Sequence, residues 1–558
     1  MRDSAEKQTK QKSKKNKVRR TVDMTENNQN NEQPMQPKPL PGQVFIRPGI
    51  DDRPDYEKTL TPEAKAALKR LAVKQNPRVP EASNERPETQ AARISAESGS
   101  PLTAAAHLDV AVPNLESSFL DLRDPMTAPD GTTPTKAQSR RLTIGFALGA
   151  LLFNAPLAAL NTVIVPQFLS RFADFDGFCS VRILAWLTSA GLVLSFVMNA
   201  LIAVASDHSY CRFGRRTPWI AGGSVLAALS FAIMGASDFL PLVVFFWLLG
   251  QVGYAMIAMP FAAAFGERVP DKFRDRADSW RGKGQALGQM VGVIAAVALT
   301  WNLDDLGWGS GAVRTALLRC SVAFVIAAAV TLLVLPFEGS SSYLPRRSAR
   351  SSDYFSQYLP PKGAPKFFAA FAARMMGVAA TAGITVFQWY MARFGFGSAV
   401  SDYRFLGFHG AGSVVVAMAV AAFVGALAAA LLLGRIARAF DDLRIPAVAA
   451  CALFIVAALL PLLIADHLLA VSLYSLLAGF ACVVFDGVSQ SLGLAILPDV
   501  RSVGRSLAAY GSANTIGALL GVAVCAVVII ATGAYLPMFA VAAIAMLLAA
   551  VLTLPLKK

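Results

Sequence analysis

Histidine is scarce in this chain: His107, His208, His409 and His467 stand far apart in 558 residues. The six cysteines, Cys179, Cys211, Cys320, Cys451, Cys482 and Cys525, are scattered singly, with no C-x-x-C or other ligand spacing. A metal site is therefore not expected, and the thiols read as small core residues. A Walker A loop, an H-E-x-x-H and a G-x-S-x-G are all missing, which argues against an ATP-driven pump or a hydrolase. Neither enzymatic activity nor a cofactor is expected. Charged residues make up only 16%. In their place stands a hydrophobic content of 54%, too high for a soluble protein of this length and suited to a polytopic membrane protein.

The apolar residues fall into blocks long enough for a hydrocarbon core, which takes about 20 residues of helix. Each block satisfies its backbone internally only as a helix. About twelve spans are expected, near 142–166, 181–205, 217–236, 239–263, 284–300, 313–336, 366–390, 411–434, 446–464, 468–496, 504–531 and 535–556. Residues 1–141 are a different material, rich in Pro, Gln, Asn, Ser and charge, and are expected to be a disordered tail. One short helix is expected near 61–75, with Thr61 as cap, Pro62 at its first position and Pro77 as stop. The basic head of the tail is followed by polar sequence, so no cleaved signal is expected.

Basic residues separate by side. Arg212, Arg215, Arg216, Arg268, Lys272, Arg274, Arg346, Arg347, Arg435, Arg438, Arg501 and Arg505 fall in one set of connections, against Arg171, Arg182, Arg314, Arg393 and Arg404 in the other. Translocated short loops are depleted in Lys and Arg, so both termini are expected in the cytoplasm. The net charge of +15 becomes a topology signal that needs no nucleic acid. The connection 337–365 divides the spans into halves 142–336 and 366–558. "AAFGERVPDKFRDR" aligns with "AILPDVRSVGR", placing Glu267 over Asp499 and Arg276 over Arg505. Repeated halves suggest a transporter with its site at their interface, near mid-membrane.

Asp207 precedes Gly214, Arg215 and Arg216 by seven residues in "SDHSYCRFGRRTPW", with Arg212 between and Pro218 after. This stretch resembles the loop between helices two and three of the major facilitator superfamily. More narrowly, it resembles the longer form, S-D-R-x-x-x-R-F-G-R-R-x-P, of the sucrose transporters and the glycoside–pentoside–hexuronide:cation symporters. "MPFAAAFGERVPDKFRDRA", "VFDGVSQSLGLAILPD" and "ITVFQWYMARFG" are similar to passages of the same branch, and the resemblance spans about 142–556. His208 stands where that family has Arg. Ala262 stands where sucrose transporters carry an arginine, so a strict sucrose–proton mechanism is not implied. The resemblance implies an all-α membrane protein of twelve helices in two six-helix pseudo-repeats, moving a sugar or glycoside by alternating access. It also implies that Asp207, Arg212, Gly214, Arg215, Arg216, Glu267, Asp499 and Arg505 form a conformational gate. Positive-inside anchoring alone would explain the arginines but not Asp207 or Gly214.

Asp486 is the one carboxylate well inside an expected span. A charge there is costly, which makes it the proton-coupling candidate, with structural glue as the bland alternative. Asn154 and Asn161 are seven apart on the first span, and Arg374, Thr381, Thr385 and Gln388 follow helical spacing down the seventh. With Gln251, Gln490 and Asn514 they are candidate hydrogen-bonding groups for a polyhydroxylated solute, and Trp389 a candidate stacking face. Each alone also fits interhelical packing, and Arg374 could snorkel to the membrane boundary. The expected partners are a small solute, a coupling ion taken as H+, and membrane lipid, with the chain a monomer in the plasma membrane. The alternatives are a drug or metabolite exporter on the same fold, and a non-transporting sensor or scaffold.

Overall fold

Thr135 begins the first helix through a reciprocal cap: its Oγ1 accepts the Gln138 N–H at 3.3 Å, while Gln138 Oε1 accepts the Thr135 N–H at 2.9 Å. Two orphan donors are thereby satisfied, and the helix starts before the apolar run does. The computed structural model describes residues 128, 132–172, 179–301, 309–339, 341, 364–440, 442–464, 467–496 and 503–556. The expected tail through residue 127 with its short helix, most of the connection 337–365, Asp499 and the side chain of Arg505 lie outside the described residues.

Among the described residues twelve long helices follow one another. They are α1 Lys136–Ser170, α2 Cys179–Asp207, α3 Thr217–Ala236, α4 Leu240–Arg268, α5 Asp271–Trp301 and α6 Gly309–Val334. Then come α7 Pro365–Phe394, α8 Gly410–Ala439, α9 Arg444–Leu463, α10 His467–Ala495, α11 Val503–Thr532 and α12 Pro537–Thr553. Ten are long and apolar enough to cross a membrane. The other two are α12, apolar but 17 residues long, and α5, whose first turns carry the charges of "DKFRDRADSWRGK". These charges stay helical because they are partnered: Arg281 bonds Asp278 one turn back at 2.6 Å and lies 4.8 Å over the Phe265 ring. A short hairpin, β1 Arg404–Phe405 and β2 Phe408–His409, joins α7 to α8. Its turn residues Leu406 and Gly407 both have positive φ, as a two-residue hairpin turn requires.

The helices pack most extensively within α1–α6 and within α7–α12, and α5–α8 and α2–α11 are the main pairs that cross between the two series. Glycine sets the closest approaches. A Cβ at Gly284, Gly288 or Gly292 of α5 would lie 2.2, 2.4 or 2.1 Å from the carbonyl oxygens of Ala147, Leu151 and Ala155 on α1. A Cβ at Gly517 or Gly521 of α11 would meet Met375 O or Ala379 O of α7 at 2.3 Å. The same close contact, built from small residues four apart, thus joins the first and fifth helices of each series. Across the interface, Tyr390 Oη donates to Pro166 O at 2.9 Å. Val297 of α5 meets the start of α8 at Gly412, where a Cβ would be 2.7 Å away. Both contacts lie at the rim opposite the arginine-rich helix ends.

One irregularity positions the centre. Leu160–Ile164 of α1 forms a π-turn, with the Val165 N–H reaching Leu160 O. Pro166 has no N–H to return to Thr162, so the ladder there is free to widen. Asn161 and Thr162 sit on this turn.

Candidate functional site

Between the two series lies a cavity enclosing about 1470 Å³, its open mouth included, walled by α1, α2, α4, α5, α7 and α11. Its polar groups are amides and hydroxyls: Asn154, Asn161, Ser195, Asn199, Gln251 and Asn514 are among them. A smaller lobe of about 680 Å³ lies among α1, α5, α7, α8 and α10 and carries Gln388, Tyr474 and Ser475. Thr162, Gln289 and Thr385 line both, so the two are lobes joined at a polar neck. Among the described residues no Asp, Glu, Lys, Arg or His lines either one. Asn154 is tied by its Nδ2 to Ala150 O at 2.8 Å, whereas Asn161 on the π-turn is exposed. Three lining donors are buried without a hydrogen-bond partner: Trp247 Nε1, Asn514 Nδ2 and Tyr474 Oη. An unmet buried donor costs about 1–3 kcal/mol, which a ligand acceptor would recover.

Behind Asn514 sits a charged layer. Arg374 of α7 is 1% exposed; its Nε donates to Asn514 Oδ1 at 2.8 Å and its Nη1 to Ser489 Oγ at 3.2 Å. Its guanidinium lies 5.5 Å over the ring of Tyr510, whose hydroxyl donates to Ser489 O at 2.8 Å. Arg374 reaches Asp486 through that residue's backbone carbonyl, 3.5 Å from Nη1. The Asp486 side chain is 3% exposed and its Oδ2 has no hydrogen-bond partner. Asp486 stands about 14 Å along α10 from Ala495, at 1.5 Å per residue, nearer the arginine-rich rim than the mid-span position expected of it.

The structure distributes the expected solute-binding residues unevenly. Asn154, Asn161, Gln251 and Asn514 share the large lobe, and Gln388 faces the small one. Arg374 does not snorkel; it is buried one layer behind Asn514. Trp389 is buried in the core and lines neither lobe, because it sits about 100° around α7 from Gln388. Gln490 is half-buried and also lines neither. Thr188, Ser195 and Asn199 of α2 line the large lobe without having been singled out in the sequence, although their spacing of seven and four is the periodic signal that marked α7.

At the arginine-rich rim a second polar cluster closes the α2–α3 loop. Arg216, 1% exposed, bonds both Asp207 and Glu267 and donates from Nη1 to Ser206 Oγ at 2.5 Å. Burial disfavours its charge, but Asp207 and then Glu267 outweigh that penalty and hold the guanidinium above its ordinary pKa. Arg215 Nη2 is 3.3 Å from Glu267. Arg212 instead lies exposed, 4.8 Å over the Phe213 ring. Glu338, just past α6, accepts the N–H groups of Arg215, Arg216 and Thr217 at 2.9, 3.0 and 3.0 Å, and the Thr217 hydroxyl at 3.0 Å. It caps α3 where Pro218 and the loop leave donors unmet. Gly214 has φ +95, and a Cβ there would lie 2.2 Å from the Glu338 carboxyl carbon, so glycine is required twice over. Ser341 Oγ accepts the Cys211 N–H at 3.0 Å. These described bonds of the gate residues all join parts of the α1–α6 series.

No family model matches the chain, and no curated protein matches it. Solved structures do. A mutant form of the nucleoside transporter NupG superposes with TM-score 0.56 at 13% identity, covering 75% of this chain and 100% of that one. A bacterial homologue of the human lysosomal transporter Spinster, inward-facing and occupied, gives 0.52 at 15% identity, covering 76% and 97%. The chain shares the fold of these transporters, and the uncharged cavity lies between its two helix series.

Proposed function

We propose that this chain is a secondary transporter that moves a small uncharged polar solute, of sugar or glycoside type, by alternating access and couples it to protons through Asp486. The observation that supports this most is the connection at Asn514. That one side chain lines the cavity with an unmet donor and gives its oxygen to Arg374, whose guanidinium also donates to the α10 turn of Asp486, at Ser489 Oγ and Asp486 O. Protonated, Asp486 leaves Arg374 with Asn514 and Ser489. Deprotonated, it draws the guanidinium toward itself, because a bare buried carboxylate is costly, and Asn514 loses the bond that fixes its amide. Solute binding and proton release thereby bias the same element. The contacts Tyr390–Pro166 and Val297–Gly412 support a state closed at the rim opposite the arginines, which positive-inside asymmetry makes the outer one. Both termini are then cytoplasmic, in the plasma membrane, and nothing in the scheme requires more than a monomer.

Proteoliposomes carrying the full chain test the proposal, with a pH jump and a panel of neutral sugars and glycosides. Solute-dependent charge movement is expected in the parent protein. In Asp486→Asn it should vanish while counterflow exchange partly survives, because the amide keeps the size of a neutral carboxyl but releases no proton. Undiminished charge movement in the variant would sink the coupling role. Equal loss of both activities would move Asp486 to solute binding or structure.

A further inference from the structure

We propose that the smaller lobe is a second subsite that takes an uncharged apolar group carried by the same solute whose polar part occupies the large lobe. This rests on the transport reading above, and it makes the solute an amphiphile in place of a bare polyol. The walls carry the argument. Met290, Val293, Ile384, Met418 and Phe423 surround the small lobe with apolar surface from three helices. Three of its polar groups, Thr162, Gln289 and Thr385, stand at the neck where the large lobe begins, while Gln388, Tyr474 and Ser475 lie on its own side. A solute spanning the neck would keep its hydrogen-bonding part among the asparagines and leave its apolar part among these side chains.

The floor carries an independent sign of a ligand. Tyr474 lines the small lobe, is 2% exposed, and is held by edge contacts with the Phe539 and Phe454 rings at 4.9 and 6.1 Å. Its hydroxyl is buried without a partner. Buried hydroxyls are normally bonded, and an ether or carbonyl oxygen on the apolar group would complete this one. The absence of a charged lining residue among the described residues sets the electrostatic limit, since a carboxylate or ammonium entering either lobe would find no counter-charge in these walls to offset its lost hydration.

The test uses the full chain in lipid nanodiscs and two probes. The first is a hydroxylated aryl diazirine, photolysed and mapped by peptide mass spectrometry. Adducts are expected near Met290, Met418 and Tyr474, falling several-fold in Ala419→Leu and at least tenfold in Ala419→Phe, which fill the lobe by degrees. Lack of adducts there, or adducts insensitive to both fillings, would overturn the subsite. The second is a series of methyl, phenyl and 4-carboxyphenyl β-glucosides, followed by intrinsic tryptophan fluorescence. Phenyl should bind about tenfold or more tighter than methyl, since each buried methylene equivalent is worth about fourfold, and the carboxylate should erase the gain. Equal binding of methyl and phenyl would also overturn the proposal. A labelled lobe with no glucoside bound at all would support the subsite and remove the sugar reading, so the two fail separately.

Discussion

Replacing Glu338 by alanine should unfasten the segment that follows α6 from the α2–α3 loop, and the structure sets the size of the effect. One carboxylate accepts three successive backbone N–H groups and the Thr217 hydroxyl at the start of α3. Losing a capping acceptor costs about 1–2 kcal/mol, and losing negative charge at a helix N-terminus about 0.3–1 kcal/mol more. Glu338 is only half-buried, so water recovers part of this, and about 2 kcal/mol remains. At 1.4 kcal/mol per factor of ten this is about a 30-fold rise in the open population. Cys211 reports it. Its N–H is held by Ser341 Oγ on the same segment and its carbonyl accepts the Ser341 N–H at 3.1 Å, so opening uncovers a half-buried thiol. Alkylation of Cys211 should accelerate about 30-fold in Glu338→Ala and less in Glu338→Gln, which keeps an acceptor. Cys179, at the other rim, serves as the control. An unchanged Cys211 rate in the alanine variant would show that the cap does not hold the loop.

Asn514→Ala should weaken solute binding about three- to tenfold, the loss of one neutral hydrogen bond, but should reduce pH-driven accumulation far more; parallel losses in transport assays would reduce Asn514 to an ordinary contact. Gly288→Val should destabilise the detergent-solubilised protein by about 1–3 kcal/mol or prevent insertion, since its side chain would enter the Leu151 carbonyl; thermal unfolding with normal yield and midpoint would refute the close packing of α1 and α5. Asp207→Asn should bias the protein toward the inward-open state, read as altered two-sided cysteine accessibility, and an unchanged pattern would leave the cluster a fastening within one helix series. Removal of residues 1–130 should leave insertion and transport largely intact, and loss of either would show that the tail is structural.

The twelve helices were legible because long apolar runs have one solution in lipid. Their ends were less so. The start of α5 at Asp271 was hidden because hydropathy counts its charges against it, while partners such as Asp278 and Phe265 keep Arg281 in place. The sequence stretch around Gly214 marked the rim cluster, and Asp207, Arg216 and Glu267 do converge there. Glu338 did not stand out, because its role depends on residues more than 120 positions earlier, and no local pattern encodes such a contact. The same distance problem separates Arg374 from Asn514: each was visible as a polar residue in a greasy run, but their bond across 140 positions was not. Trp389 shows the opposite failure, in which a residue type suited to stacking sits on the wrong side of its helix.

The separation of the neutral cavity from the charged layer behind it has its own consequence for how substitutions should rank. A solute in either lobe meets amides, hydroxyls and apolar walls, so changes there, Asn514 excepted, should alter which solute is taken without touching the proton. Arg374 and Asp486 meet no solute directly, yet they are unequal. Asp486 can become neutral by taking up a proton. Arg374 has no such route, and its bonds to Asn514 and Ser489 are what make a guanidinium tolerable in the interior. Removing Asp486 therefore relieves a cost, whereas removing the groups around Arg374 leaves a buried cation short of partners, a loss of about 3–5 kcal/mol when a buried charge is stranded. The order of damage should follow: Asp486→Asn folded but uncoupled, Ser489→Ala impaired, and Asn514→Ala with Ser489→Ala together unstable. Denaturation midpoints of the three proteins check that order. A double variant as stable as the parent would mean that Arg374 finds its support elsewhere and that the layer is not the connection between solute and proton.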